Sequence, residues 1–377
     1  MLRSPRSWKR LLVVAAAVLA LGAALAGCSK QSSLVTSPLA PSDIGSQGDV
    51  FVLHPGDPAV QAAMRVQDRN TPSLMQLAGV VGTAVTADDR GKPAIMVMTE
   101  SKLPAGRLPE TLDGYKVIEE VTGKFIARKG PGGGVSHTAK QTPPIQLGTS
   151  GGSVVDLANG YCCSGTLGSL VQKGGNQYIL SNSHVLAGDV VSGGNGKVSQ
   201  IGDDVMQPGY VDNNCSTSGV NIVADVSSLS TLYPPGSTPN VDCAIAQVRA
   251  GMVRTDGAIL EIGTISASTV GAFVGQAVKK SGRTTGLTRG KVQAINATVN
   301  VGYETECAGS SFTKTFTGQI IIGRRFISSG DSGSLMVEDV TTNPRAVGLL
   351  YAGSSTTAVA NPINDVLSNL GVTMVGN

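Results

Sequence analysis

Residues Arg324 to Val340 read RRFISSGDSGSLMVEDV, with Ser332 at the centre of Gly-Asp-Ser-Gly. Two glycines flanking a small polar pair make a tight turn between strands. A chain with 49 Gly produces such turns by chance, so the turn alone says little about Ser332. What decides is whether the chain also supplies a base within hydrogen-bond reach, most often His, and a carboxylate to orient that base and stabilise its cation.

There are three His. His54 lies in an N-terminal region without other chemistry and His137 in a Gly/Pro-rich stretch, which leaves His184 in YILSNSHVLAG. There a hydrophobic strand runs into a short polar turn and presents the ring at a strand end. An isolated His in that setting is usually structural, but this one has company. Asp242 enters the apolar strand NVDCAIAQV, where a carboxylate is costly to bury unless paired. Taken alone it reads equally as a strand cap. Asp203, Asp204 and Asp225 compete from more polar or turn-like contexts. The order His184, Asp242, Ser332 is that of chymotrypsin-like peptidases; α/β-hydrolases run Ser, acid, His, and subtilisins Asp, His, Ser. Ser334 also breaks the G-x-S-x-G elbow of the hydrolases.

The segments around these residues are rich in Val, Ile and Leu and broken by Gly, Asn, Ser and Asp: CSGTLGSLVQ, NQYILSNSHV, VDCAIAQV, GKVQAINATVNVGY, FTGQIIIG and RAVGLLYAG. Such runs are short strands. A closing helix begins at Asn361-Pro362, a capping residue followed by a first-turn proline, with Ile363, Val366, Leu367 and Leu370 on one face. From Gly151 onward the chain resembles a trypsin/chymotrypsin-like serine peptidase of the bacterial type. SNSHVLA is similar to the His motif, VDCAIAQV to the Asp strand, and GDSGS to the nucleophile motif. SGRTTGLTRGKV is similar to a segment opening the second barrel, and VGLLYAGSS to the substrate-pairing strand.

The resemblance implies an all-β fold: a chymotrypsin-like double six-stranded β-barrel with a C-terminal helix, here preceded by a small α+β domain. It implies Ser332 as nucleophile, His184 as proton shuttle and Asp242 as holder of the imidazole tautomer. It also implies an oxyanion hole from the backbone N–H groups of Gly330 and Ser332, and an ion pair between Arg283 and the buried Asp331. The specificity pocket is expected at Phe326, Ile327 and Ser328, with Gly353 on its wall. No acid stands at its base, which argues against cleavage after Lys or Arg and leaves apolar or small side chains. GDSGS replaces the commoner GDSGG, Val185 follows the His where animal members carry a cysteine, and Tyr351 and Ala352 stand where a Ser and an aromatic residue are common.

The chain divides by composition. Arg3, Arg6, Lys9 and Arg10 precede the apolar run Leu11 to Leu25, as in a secretory signal. The run ends in LAGC, which resembles the lipobox of bacterial lipoproteins, so residues 1–27 read as a lipoprotein signal peptide and Cys28 as the lipidated residue. Ser29 after it implies the outer membrane in a cell with two membranes. Removing four basic and no acidic residues takes the formal charge from +3 to −1. That balance, without a Lys/Arg cluster, argues against nucleic acid as a partner. Residues 28–47 read as a flexible tether, and residues 48–128 as a small α+β domain, pro-region-like or docking. In it Asp57-Pro58 starts a helix, DDRG joins a hairpin, and YKVIEEV pairs with GKFIAR. Residues 129–150 form a Gly/Pro-rich linker exposing Lys129 and Lys140 to proteolysis, and residues 151–377 form the peptidase domain.

Cys162, Cys163, Cys215, Cys243 and Cys307 remain after the lipidation site, an odd number in an exported chain, so at least one is free or pairs between molecules. No spacing suggests a metal site and no fingerprint suggests a cofactor. Two functions follow. One is an exported, lipid-anchored serine endopeptidase of the cell envelope acting on proteins or peptides, kept latent by the small domain and released by cleavage in the linker. The other is a catalytically silent surface-binding lipoprotein on a peptidase scaffold.

Overall fold

The computed structural model describes residues 51–127, 135–158, 160–323 and 325–377. The signal segment, Cys28, the tether and Lys129 lie outside the described residues.

Helix α1 (Pro58–Met75) packs on a sheet made of β1 (Val80–Ala87), β2 (Pro93–Thr99) and β3 (Tyr115–Val121). Pro58 takes the first helical position as expected, but Asp57 makes no side-chain cap; its carboxylate accepts the His54 N–H at 3.2 Å. The DDRG turn joins β1 to β2, with Asp88 Oδ1 accepting the N–H groups of Arg90 and Lys92. The expected pairing of YKVIEEV with GKFIAR does not form. Strand β3 runs parallel to β2, whereas β4 (Phe125–Ala127) pairs with strands of the peptidase region. Gly123, at φ +77°, turns the chain away from β3, and Phe125 buries its ring in a core shared with Val301, Phe316 and Tyr351.

The first barrel comprises β5 (Thr149–Ser153), β6 (Gly165–Leu167), β7 (Ser169–Lys173), β8 (Asn176–Ser181), β9 (Asp204–Gln207), β10 (Asn221–Leu229) and β11 (Ala244–Val248). Pairing runs β7-β8-β11-β10-β9-β5-β6, and β6 and β7 are one strand bent at Gly168, so the ring closes with six members. The second comprises β12 (Ala277–Gly282), β13 (Gly286–Tyr303), β14 (Phe312–Ile322), β15 (Leu335–Glu338), β16 (Ala346–Gly353) and β17 (Ala358–Pro362). Here β12-β15-β16-β17-β14-β13 closes through a β13–β12 pairing, again six. Closure removes the free edges that a short-stranded sheet would otherwise expose.

The C-terminal helix (Ile363–Leu370) buries Ile363, Val366 and Leu370 in the first-barrel core. Asn361 is not its cap. The Asn361 amide donates to the Asp242 carbonyl, and its oxygen accepts the Asp242 N–H, both at 3.2 Å.

Two boundaries differ from the composition reading. The N-terminal sheet is not a detached domain, because β1 pairs directly with the middle of β13, Gly82 opposite Val299, and residues 49–377 form one compact unit. Nor are the described residues 135–150 a loose linker. Ile145 and Leu147 are fully buried apolar anchors, and their N–H groups bond the carbonyls of Met252 and Ala258. Composition missed this because two apolar residues among Gly and Pro suffice to dock an extended segment. Lys140 is exposed, as expected.

Gly168 ties barrel closure to the nucleophile turn: a Cβ there would lie 2.0 Å from the Gly333 carbonyl oxygen. Gly168→Ala should lower unfolding free energy by about 3 kcal/mol in chemical denaturation. Gly56→Ala, with nothing within 4 Å of the added methyl, should stay within about 0.5 kcal/mol.

Candidate active site

Strand β8 delivers the chain to Asn182, and a single helical turn, α2 (Ser183–Leu186), follows it. Ser183 Oγ bonds the carbonyls of Ser230 and Cys243 at 2.9 Å each, fixing the turn against the start of β11. His184 Nδ1 donates to Asp242 Oδ2 at 2.6 Å, and the His184 N–H donates to Oδ1 at 3.3 Å. Asp242 is 0% exposed and His184 2%, so this is a charge-assisted bond away from water, the strong kind. Asn182 holds the Asp242 carbonyl at 2.7 Å. A third donor reaches the carboxylate, the Tyr303 hydroxyl at 2.9 Å from Oδ2. Sequence reasoning missed Tyr303, since one aromatic at a strand end carries no signal of its target. Burial first, then the charge of Asp242, pushes its hydroxyl well above the usual tyrosine range.

Ser332 sits across the seam between the barrels. Its carbonyl accepts the Thr166 N–H at 2.9 Å, and Thr166 Oγ1 donates to the Gly330 carbonyl at 2.9 Å, so β6 grips the turn at two points. Thr166 is a second residue the sequence did not single out. Gly330 and Gly333 have φ of +97° and +93°, and a Cβ on Gly333 would stand 2.2 Å from Ser181 Oγ. Only glycine fits both conformation and space there. Among the described residues the N–H groups of Gly330 and Ser332 have no hydrogen-bond partner. Ser334, which replaces the commoner glycine, closes the turn with a 2.5 Å bond to the Asp331 carbonyl.

Of the two bonds expected to link the three residues, one is formed. Ser332 Oγ donates to the Tyr351 carbonyl at 3.2 Å, and His184 Nε2 is buried without a partner among the described residues. The His184–Asp242 bond is made and a Ser332–His184 bond is not. Catalytic hydrogen bonds are often loose in proteins without substrate and tighten in the complex.

The expected Arg283–Asp331 pair is not formed. The Arg283 guanidinium forks onto Asp212, Nε to Oδ2 at 2.5 Å and a terminal nitrogen to Oδ1 at 2.7 Å. The reason is strand alternation. Asp331 lies against Gly282, where a Cβ would meet its Oδ1 at 2.7 Å, so it faces the side of β12 that also carries Lys280. Arg283, one residue on, points the other way. Asp331 is fully buried and accepts from the N–H groups of Thr284, Thr285 and Ser328, from Thr285 Oγ1 at 2.6 Å, and from the Lys280 ammonium at 3.4 Å. Burial lowers the Lys280 pKa, against the opposing pull of Asp331.

A pocket of about 640 Å³ opens beside Ser332, lined in part by Ile327, Ser328 and Gly353 as expected. Phe326 is not part of it. It is 1% exposed, its ring packs on Gly290 in the second-barrel core, and a large apolar ring there gains more from the core than from the pocket wall. Arg325 and Thr285 also line the pocket, and the N-terminal segment contributes Lys124 and Ile126.

Cys162 and Cys215 form a disulfide, Cys163 is disulfide-bonded, and the buried Cys243 is free, its thiol pushed up to about 12 by burial. Among the described residues no group of three or more His, Cys, Asp or Glu could hold a metal ion.

Residues 240–361 match the Nal1 C-terminal domain family. Glutamyl endopeptidase 2 of Streptomyces griseus is 35% identical over 117 residues, 28% of this chain and 52% of that protein. Streptogrisin-A of the same organism is 36% identical over 109 residues, 28% of this chain and 32% of that protein. The chain thus spans about half, or less, of the length of these relatives. Thermobifida fusca protease A aligns with a TM-score of 0.41 and 19% identity, over 62% of this chain and 99% of that one. The curated relatives support a chymotrypsin-like serine peptidase fold.

Lys280→Met should cost about 3–5 kcal/mol in denaturant unfolding, because it strands the buried Asp331 carboxylate. Adding Asp331→Asn should recover part of that loss, whereas adding Asp212→Asn should not.

Proposed function

We propose that this chain is a serine endopeptidase that cleaves peptide bonds through an acyl-enzyme. The observation carrying this reading is the buried 2.6 Å bond from His184 Nδ1 to Asp242, built against the GDSGS turn. In the cycle Ser332 Oγ leaves the Tyr351 carbonyl, turns toward His184 Nε2 and attacks the scissile carbonyl as its proton passes to the imidazole. The Gly330 and Ser332 N–H groups take the developing oxyanion, and His184 returns the proton to the leaving amine. Water then repeats the sequence on the acyl-enzyme. The silent-scaffold alternative gains no specific support from the site.

Strand β4 sets the resting state in this reading. It pairs antiparallel at Ile126 opposite Gly353, on the edge where an extended peptide would add as a strand. Ile126 and Lys124 also line the pocket that holds Ser332. The N-terminal part thereby keeps the peptidase latent until the segment withdraws, and cleavage between residues 128 and 134 is the simplest release. Export and lipid anchoring through Cys28, on the outer membrane in a cell with two, complete the proposal and rest on the signal and LAGC sequence alone. For specificity, the pocket left once the β4 segment withdraws keeps Arg325 and several hydroxyls and no carboxylate among its lining residues, which favours acidic over apolar side chains. The name of the glutamyl relative agrees with this.

A fluorophosphonate probe should label wild-type protein at Ser332, located by peptide mass, and leave Ser332→Ala unlabelled; an unlabelled wild type would favour the silent scaffold. Ile126→Pro removes a strand N–H and should speed labelling roughly tenfold, the effect of about 1.4 kcal/mol of lost docking. In a proteome-derived peptide library, cleavage should concentrate after Glu and Asp.

A further inference from the structure

Asp242 Oδ2 accepts two hydrogen bonds, from His184 Nδ1 at 2.6 Å and from the Tyr303 hydroxyl at 2.9 Å. Tyr303 ends β13, in the opposite barrel from the histidine. Its ring stacks on Phe312, centroids 4.8 Å apart at 10°, and meets the His184 ring edge-on at 5.9 Å and 73°. Nearby Tyr351 is equally buried, yet its hydroxyl has no partner among the described residues, so burial in this core does not by itself bring a phenol to the carboxylate.

We propose that Tyr303 is a positioning residue of the triad, its hydroxyl sharing Asp242 Oδ2 with His184 and fixing the carboxylate plane that holds the imidazole. The proposal rests on the serine-peptidase reading. With both donors on one oxygen, the carboxylate cannot turn without breaking a buried bond, and the imidazole keeps Nδ1 on Asp242 and Nε2 free for Ser332. A phenol needing only a buried acceptor would be served by a backbone carbonyl.

Other titratable groups near Asp242 do not duplicate this role. The Cys243 thiol points toward the Asn369 amide at 3.5 Å, and the Tyr351 hydroxyl is unpartnered among the described residues. The Lys314 ammonium is taken by the carbonyls of Thr231, Ser237 and Pro239, while burial lowers its pKa against the pull of Asp242.

Tyr303→Phe keeps the ring and its stacking and removes only the hydroxyl. In the full chain it should lower kcat roughly tenfold with KM within about twofold, the pattern of a lost transition-state interaction. A second reading needs no activity: the downfield proton resonance of the Nδ1–H···Oδ2 bond should shift in Tyr303→Phe and stay in place in Phe312→Leu, which loosens the packing but keeps the hydroxyl. An unchanged resonance in Tyr303→Phe, an equal shift in Phe312→Leu, or an unaltered kcat overturns the proposal. If wild-type Ser332 is inert to the fluorophosphonate, the peptidase reading fails, and the resonance still decides whether Tyr303 positions the imidazole.

Discussion

A carboxylate with no exposed surface stands at the seam of the two barrels, and its burial organises the site. Isolated in an apolar interior, Asp242 would cost several kcal/mol or take up a proton. Here its oxygens receive His184 twice and Tyr303 once, while Asn182 and Asn361 hold its backbone. The carboxylate's donors come from a helical turn after β8 and the end of β13, while the end of β17 holds its backbone, so three separate parts of the chain meet at one residue. The bonds that stabilise the carboxylate thus also fix the orientation of the His184 ring.

Asp331 poses the same problem and receives a different answer. Three backbone N–H groups, a threonine hydroxyl and the Lys280 ammonium surround it, all on the hairpin from β12 to β13 or in the turn itself. These donors do not need to exchange protons during a reaction. They hold the backbone of residues 328–334 in the conformation that leaves the Gly330 and Ser332 N–H groups available. One buried carboxylate is bonded to an imidazole and a phenol, the other to backbone N–H groups, a hydroxyl and an ammonium. Arg283 serves neither; its fork on Asp212 staples the β12–β13 hairpin to the first barrel.

His184, Asp242 and Ser332 were legible because each sits at the boundary of an apolar strand and a polar turn, and because their order excludes competing arrangements. The six-membered rings were legible in outline from strand density. The partners were not. Lys280 and Arg283 are close in sequence and both cationic, and only the alternation of β12, together with the space left by Gly282, decides which one meets Asp331. Tyr303 and Thr166 look like ordinary strand residues, and their roles depend on contacts across 61 and 164 positions of sequence. The separate α+β domain was misread for a related reason: α1, β1 and β2 are locally self-consistent, and nothing local reveals that the outer edge of β1 is completed by β13.

That strand explains why the N-terminal part and the site cannot be independent. Over its 18 residues β13 closes the second barrel against β12 at Lys279 opposite Arg289, carries β1 at Gly82 opposite Val299, and runs beside β4 at Tyr303 opposite Ala127. Its last residue is the one whose hydroxyl reaches Asp242. Strand β4 lies between that end of β13 and Gly353 of β16, so it borders Tyr303 on one side and the edge of β16 on the other. Withdrawing β4 would uncover the edge at Gly353 and unpair the strand that carries Tyr303 in one motion. Strand β13 is also held by β14, which pairs with it through Tyr303 opposite Phe312. The same phenylalanine whose ring stacks on the tyrosine keeps its strand in register once β4 has gone.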